Sequence, residues 1–256
     1  MEFEIKLFSN CLPNVILKAG FTTMFDRFEQ RSHRPERLDT GDYTPEEYAK
    51  WHREMWFIHR VLGELRALRG SLIKELRANE AERITVLDVG AGSGELLRAV
   101  KRSVPEKELM LVGAELSQDA AVSIKNGSET SEVQSVRADA MKLPFADDAF
   151  DYIFSSLFLH HLTDEQAVTL LNEMSRVASR KFFVIDLRRH PLAFYFFKIV
   201  SRVFLQQFTR EDGALSILKS FRPGELLKLA RKAGFDDVTV TRSAAYRLVL
   251  SGGKGS

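Results

Sequence analysis

Cysteine is almost missing from this 256-residue chain. Cys11 is the only one, so neither an intramolecular disulfide nor a cysteine-based zinc cluster can form. That usage favours a reducing compartment. Long apolar runs are missing too. The richest stretch, "PLAFYFFKIVSRVFLQQF" (Pro191 to Phe208), is interrupted by Lys198, Ser201 and Arg202. It falls short of the roughly 20 mostly apolar residues that a membrane span needs, so no stable membrane insertion is expected. The opening "MEFEIKLFSNCLPNVILKAG" carries Glu2 and Glu4 and does not read as a secretory signal; a cytoplasmic location is expected. An excess of one charge sign is also absent. The formal charge is +2 and the pI near 8.6, too mild to imply a nucleic-acid partner without a local basic patch. No internal repeat or low-complexity segment occurs.

What is present is an ordinary globular balance, 45% hydrophobic and 28% charged, long enough to bury a full core without disulfides. Residues 1–80 read as an N-terminal helical cap. In "YTPEEYAKWHREMWFIHRVLGELRAL", Thr44 is placed as N-cap, Pro45 at the first helical position and Glu47 to close a capping box. Trp51, Met55, Ile58, Leu62 and Leu65 then form one apolar stripe that must pack on something. "RANEAER" (Arg77 to Arg83) reads as the linker into a core spanning 81–256.

From Ile84 onward strand and helix signals alternate. "ITVLDVG", "LMLVGAEL", "VQSVRAD", "FDYIFSS" and "KFFVIDL" read as strands, with helices between most of them. The helix "TDEQAVTLLNEMSRVA" is capped by a Thr163–Gln166 box. "RPGELLKLARKAGF" is a helix stopped by Gly234, and "DDVTVTRSA" and "AYRLVLSG" follow with no room for a crossover helix. These must form a hairpin with an antiparallel strand at the sheet edge; "SGGKGS" reads as a flexible tail. The expected fold is α/β: a Rossmann-like, seven-stranded, mainly parallel sheet with an antiparallel edge hairpin. A helical insertion over 190–222 interrupts it, readable as a core helix, as a lid, or as a dimer face or transient membrane contact.

"ITVLDVGAGSGELLRAV" (Ile84 to Val100) is a strand, a glycine turn and a helix start. Gly90, Gly92 and Gly94 let the backbone turn and approach a ligand closely, with free amide groups at the helix N-terminus behind them. Alone, the turn has a second reading, tight packing against the sheet. Glu115 ends the second strand, 21 residues after Gly94, where a carboxylate can accept from both ribose hydroxyls. Two features separate cofactors. The spacing is Gly-x-Gly-x-Gly rather than the dinucleotide Gly-x-Gly-x-x-Gly. An acid, Asp88, precedes it; its charge opposes a pyrophosphate and suits an ammonium beside a sulfonium. Asp139 ends the third strand at the same sheet edge, where it can take the amino group of adenine, with Ala140 and Met141 framing the ring.

"VLDVGAGSGELL", "VGAELS", "RADAMKLPFADDAFDYIFSSLFLHHL" and "GFDDVTV" resemble the successive motifs of class I S-adenosylmethionine-dependent methyltransferases. The subtype is similar to the ubiquinone/menaquinone-biosynthesis-like small-molecule group, over roughly residues 83–250. A looser similarity, in "RPERLDTGDYTPEEYAKWHREMWFIHRVLG" and in "DLRRHPLAFYFF" through "KAGF", points toward a branch associated with polyketide-type pathways. The resemblance implies S-adenosylmethionine as cofactor. It implies that Gly90 and Gly92 line its methionine part, with Ala91 and Gly94 also cofactor-binding, and that Asp88 orients the ammonium group. Glu115 would hold the ribose, Leu116 pack on adenine, Asp139, Ala140 and Met141 surround the adenine edge, and Ser155 face the sulfonium.

Methyl transfer from a sulfonium mainly requires alignment and exclusion of water. A phenolic acceptor, with pKa about 10, also needs a base. His160 and His161, just after the fourth strand, are the candidates; the other reading is that their rings hydrogen-bond the loop and helix start. No metal is expected, since a catechol-type site needs clustered carboxylates past strands four and five. Asp186 stands alone there, and "DLRRH" reads as pairing it with Arg188 or Arg189. Ser155, Ser156, Leu157 and Phe158 stand where base- and amide-directed enzymes of this class carry Asn-Pro-Pro-Tyr/Phe, which turns the reading away from nucleic acid. "RVASRK" complements a helix end rather than a polyanion. The expectation is O-methylation of a small aromatic, phenolic or polyketide-like metabolite. C-methylation of a quinone precursor, a nicotinamide-dependent oxidoreductase and a non-catalytic S-adenosylmethionine-binding module stand as alternatives. The sequence leaves the oligomeric state open, a dimer included.

Overall fold

A computed structural model describes residues 26–126 and 133–253. Cys11, the rest of residues 1–25 and the end of the expected tail at 254–256 lie outside the described residues.

Seven strands build one sheet: β1 Arg83–Val89, β2 Glu108–Glu115, β3 Val133–Arg137, β4 Phe150–Ser156, β5 Ala178–Leu187, β6 Val238–Ser243 and β7 Arg247–Gly253. Their order is β3-β2-β1-β4-β5-β7-β6. β1 to β5 are parallel, while β7 runs antiparallel to both β5 and β6. The fold expected from the sequence is therefore present, with one refinement. The antiparallel strand is not the edge; β7 is inserted beside β5 and β6 takes the edge. The expected tail also begins too early, since Ser251, Gly252 and Gly253 pair with Phe183, Phe182 and Lys181.

The helices are α1 Arg37–Thr40, α2 Pro45–Val61, α3 Glu64–Gly70, α4 Leu72–Ala78, α5 Glu95–Ser103, α6 Gln118–Asn126, α7 Asp164–Val177, α8 Pro191–Phe204, α9 Gln207–Lys219 and α10 Pro223–Lys232. The two capping boxes read from sequence both form, at Thr44 with Glu47 and at Thr163 with Gln166. Gly234, with φ 88°, ends α10 as expected.

Period-two alternation sends successive strand residues to opposite layers. Ile84, Val86, Tyr152, Phe154, Phe183 and Ile185 face α3, α4 and α5. Leu87, Val89, Ile153, Phe182 and Val184 face α7 and α10. α3 and α4 are thus a layer of the sheet itself, although they precede the linker read near residue 80. A third, smaller cluster joins Phe28 to Phe194, Phe197 and Ile217 of α8 and α9. It lies beyond the ends of the strands, and α2 joins α9 there.

Arg189 ties these parts together and corrects a sequence expectation. It does not pair with Asp186. Its guanidinium is buried and donates to the Phe28 and Glu29 carbonyls at 2.9 and 3.2 Å, to the Ser220 carbonyl, and to Glu225. Arg189→Leu leaves these acceptors without their donor, a loss of about 3 kcal/mol. The expected result is a melting temperature lower by roughly 6–12 °C, read by calorimetry.

Candidate active site

The strand order reverses between β1 and β4, so their following loops diverge and leave a crevice beyond the carboxyl ends. A cavity of about 840 Å³ opens there. Its floor is the loop after β1, with Glu115 from β2, Ser156 at the end of β4 and residues 157–158 after it. Its roof is α2, α8 and α9.

The glycine loop has the geometry that its composition demands. Gly90, Gly92 and Gly94 hold φ of 76°, 55° and 76°, in the left-handed region that favours glycine. A Cβ on Gly90 would collide with the Phe158 ring, whereas Gly92 has open space above it. The Gly92 amide donates to Glu115 Oε1 at 2.6 Å, and the Leu116 amide to Oε2 at 3.2 Å. Burial nonetheless holds the Glu115 carboxyl above its ordinary range, those two amides offsetting only part of it.

Asp88 is 1% exposed, lines the cavity, and its Oδ1 has no hydrogen-bond partner. Burial first, then the neighbouring Glu115 and Glu64, push its carboxyl well above the usual carboxylate range. An unpaired buried acid is costly. A cationic group entering the cavity removes that cost, so Asp88 fits a ligand carrying an ammonium, and with Gly92 and Glu115 it fits an aminoacyl nucleoside such as S-adenosylmethionine.

Other positions read from sequence fall elsewhere. Ser155 is fully buried and donates to the Val89 carbonyl at 2.7 Å, away from the cavity. This corrects its expected place: Ser156 lines the cavity instead and donates to Glu64. Residue 156 shares its face with Phe154 and Asp88, and a one-residue slip in a strand changes the face. Leu116 is exposed. Asp139 accepts from the Met141 amide at 2.9 Å and is exposed beside half-buried Ala140 and Met141 at the end of β3. These four lie at the same sheet edge as Glu115, outside the cavity lining.

His160 and His161 form a 3₁₀ turn after β4 and both line the cavity. Asp186 is taken by His160, not by an arginine: Oδ1 lies 2.7 Å from Nδ1 and Oδ2 accepts the His160 amide at 2.9 Å. Burial raises the Asp186 carboxyl, but His160 and the two amides outweigh it and hold the group below its ordinary range. His161 Nδ1 lies 2.8 Å from Asp39 Oδ1. Asp39 likewise ends well below its ordinary range, because His161 and Lys219 outweigh its burial. A carboxylate on Nδ1 fixes the tautomer and leaves Nε2 as the basic nitrogen.

Sequence reasoning did not find the other half of this cluster. Glu36 is buried, raised by burial against the opposing charges of His161 and Lys219. Lys219 lies 3.2 Å from Glu36 and 2.9 Å from Asp39. Asp212, also on α9, anchors α1 by accepting the Arg37 and Leu38 amides at 2.9 Å each. Glu36, His160 and His161 present ligand-type atoms within 4.8 Å of one another, but the Lys219 ammonium already supplies the cation at that spot. The hint in sequence was the Glu36–Asp39 capping box within "RPERLDTGD".

A Rossmann-like sheet with an acid before a Gly-x-Gly-x-Gly loop defines a nucleoside-cofactor site of the class I type. Residues 86–181 match the family described as "Methyltransferase domain". A demethylmenaquinone methyltransferase of Roseiflexus sp. (strain RS-1) is 32% identical over 176 residues, covering 64% of this chain and 70% of that one. Another, of Deinococcus radiodurans, is 26% identical over 224 residues, covering 81% and 90%. A solved S-adenosylmethionine-dependent methyltransferase of Aquifex aeolicus, 19% identical, superposes with a TM-score of 0.55 over 77% of this chain and 92% of that one. The chain belongs to the class I S-adenosylmethionine-dependent methyltransferases, in the family that includes the quinone-biosynthesis enzymes. Its cofactor is S-adenosylmethionine.

Proposed function

We propose that the protein methylates a hydroxylated aromatic small molecule held in the apolar cavity, with His161 as general base. One observation carries this reading: a single cavity joins Asp88 and the glycine loop to the His161–Asp39 pair. Residues 26–62 and 191–219 form the cover that excludes water. Trp51, Met55, Phe196 and Phe197 supply an apolar lining for a ring. The α8 aromatics that face the cavity, Phe196, Phe197 and Phe204, thus serve as lid, while Phe194 packs on Phe28, with ring centroids 5.5 Å apart.

The cofactor, when bound, supplies an activated methyl on its sulfonium. Asp88 would hold its ammonium, Gly92 and Glu115 its ribose side, and the Asp139 region the adenine edge. His161 Nε2 takes the acceptor's hydroxyl proton. Asp39 holds Nδ1–H and stabilises the imidazolium, leaving the acceptor as a phenolate, the nucleophile that the activated methyl would need. Lys219 keeps Asp39 ionised and in place.

A second reading is favoured by the activity named for the relatives. A phenolate carries nucleophilic density on its ring carbon as well as its oxygen, so the same base serves C-methylation of a quinol. Incubation with methyl-labelled cofactor and a panel of phenols, quinols and hydroxylated polyketides tests both. Label in an ether methyl supports O-transfer, and label on a ring carbon moves the reading to quinols. No turnover on any member, with S-adenosylhomocysteine still bound, would leave a cofactor-binding module and end the proposal.

A further inference from the structure

We propose that the outer face of α8, with the adjoining end of α2, docks on an anionic lipid bilayer and turns the cavity mouth toward it. The inference rests on the exposed side of α8, most of which the cavity does not use. Leu192, Phe196, Ile199 and Val203 recur at helical spacing along α8 and are all exposed, Ile199 by 70% and Val203 by 76%. An apolar stripe of that period needs a partner, and among the described residues this one has none. The inner side of the same helix is already covered, by Phe28 and by α9.

The stripe continues onto a second element. Phe57 of α2 and Phe204 of α8 meet with ring centroids 6.1 Å apart. Trp56, Phe57 and Val61 are exposed beside them. Trp56, Phe57, Val61, Phe196 and Phe204 also line the cavity, so the apolar face and the mouth are one surface.

Charge decides what covers it. No Asp or Glu occurs from Leu187 to Arg210, nor from Met55 to Gly63. Lys198 and Arg202 on α8, and Arg53 and Arg60 on α2, are exposed and have no ion pair among the described residues. An apolar face rimmed by unpaired cations and free of acids matches an anionic membrane interface, where aliphatic and aromatic groups enter the acyl boundary and Lys and Arg meet phosphates. α8 is a 14-residue helix, and no described helix is long and apolar enough to cross a membrane. The contact is therefore parallel to the surface.

Co-sedimentation of the full chain with vesicles tests this. The wild type is expected to bind phosphatidylcholine vesicles containing about one-third phosphatidylglycerol, and to release as salt rises. Ile199→Glu/Val203→Glu touches neither the cavity lining nor the His161 cluster. It should cut vesicle binding by about tenfold or more, while the melting temperature and S-adenosylhomocysteine affinity stay at wild-type values. Three outcomes overturn the proposal. One is no binding by the wild type, or equal binding by the double variant. The second is a wild-type dimer that the double variant dissolves without any vesicle binding, which assigns the face to a second copy. The third is binding that depends on residues 1–25 and survives in the double variant.

Discussion

Asp88→Asn is expected to melt at a higher temperature than the wild type at pH 8 and to bind S-adenosylhomocysteine about 10- to 100-fold more weakly. Both effects follow from one carboxyl. In the ligand-free protein Asp88 is buried with Oδ1 unpartnered, and burial together with Glu115 and Glu64 raises its pKa well above the ordinary value. A group raised on folding binds more protons in the native state than in the unfolded one at any pH between its two pKa values. Native stability therefore falls as pH increases through that window. Asparagine has no proton to lose, so its advantage is small near pH 4 and largest above the native pKa, about 1–3 kcal/mol by the cost of burying an unsatisfied polar group. Affinity moves the other way. A carboxylate facing an ammonium contributes a charge-assisted hydrogen bond worth about 1.5–3 kcal/mol, and the amide keeps little of it. Calorimetry in two buffers of different ionisation heat adds a second readout. At a pH below the raised native pKa, binding to the wild type should release a proton as Asp88 ionises against the ligand, and binding to the variant should lack that proton. A variant less stable than wild type at pH 8 would end the burial argument, and one with unchanged affinity would end the ammonium role.

The same residue shows what sequence can and cannot carry. Asp88, the three glycines and Glu115 are legible because they are local: a strand end, a turn that needs positive φ, and the next strand end in a parallel order. Their neighbours in space are not. Asp39 comes from a four-residue helix and Glu36 from its N-cap, Lys219 from the end of α9 and His161 from a 3₁₀ turn; these meet where Asp212 captures the amides of α1. No periodicity links positions 39 and 219. Ser155 lies off the cavity for a different reason. The strand is legible in the sequence but its parity is not, because parity is set by which layer α3 and α4 cover. Asp186 does not pair with its neighbouring arginines, because β5 directs it under the 3₁₀ turn and Arg189 goes to the carbonyls of residues 28, 29 and 220. The aromatic stretch read to Phe208 ends as a helix at Phe204. There Leu205 turns extended, and the Glu54 carboxylate on α2 accepts the Gln206 amide at 2.9 Å.

His161→Ala should lower kcat for an ordinary phenol by about 100- to 10,000-fold, with less than about a twofold change in S-adenosylhomocysteine affinity. The division follows from place. His161 lines the cavity, but its Nδ1 is tied to Asp39 and not to any group at the glycine loop. The fold should survive, because Asp39 retains Lys219 at 2.9 Å and α1 retains Asp212. Asp39→Asn separates orientation from basicity. An asparagine can offer either its carbonyl or its NH₂ to Nδ1, so the tautomer with free Nε2 is no longer enforced, and kcat should fall by less than in the alanine variant. Acceptor acidity gives the sharper test. A nitrophenol is already ionised at the assay pH and needs no base, so its kcat should be nearly the same in wild type and His161→Ala. A structural role for the ring would slow both acceptors alike, whatever their pKa. If the phenol and the nitrophenol lose equally, His161 positions the substrate and another group takes the proton; Glu36, buried, raised and 3.9 Å from His161 Nδ1, is then the next carboxyl to replace.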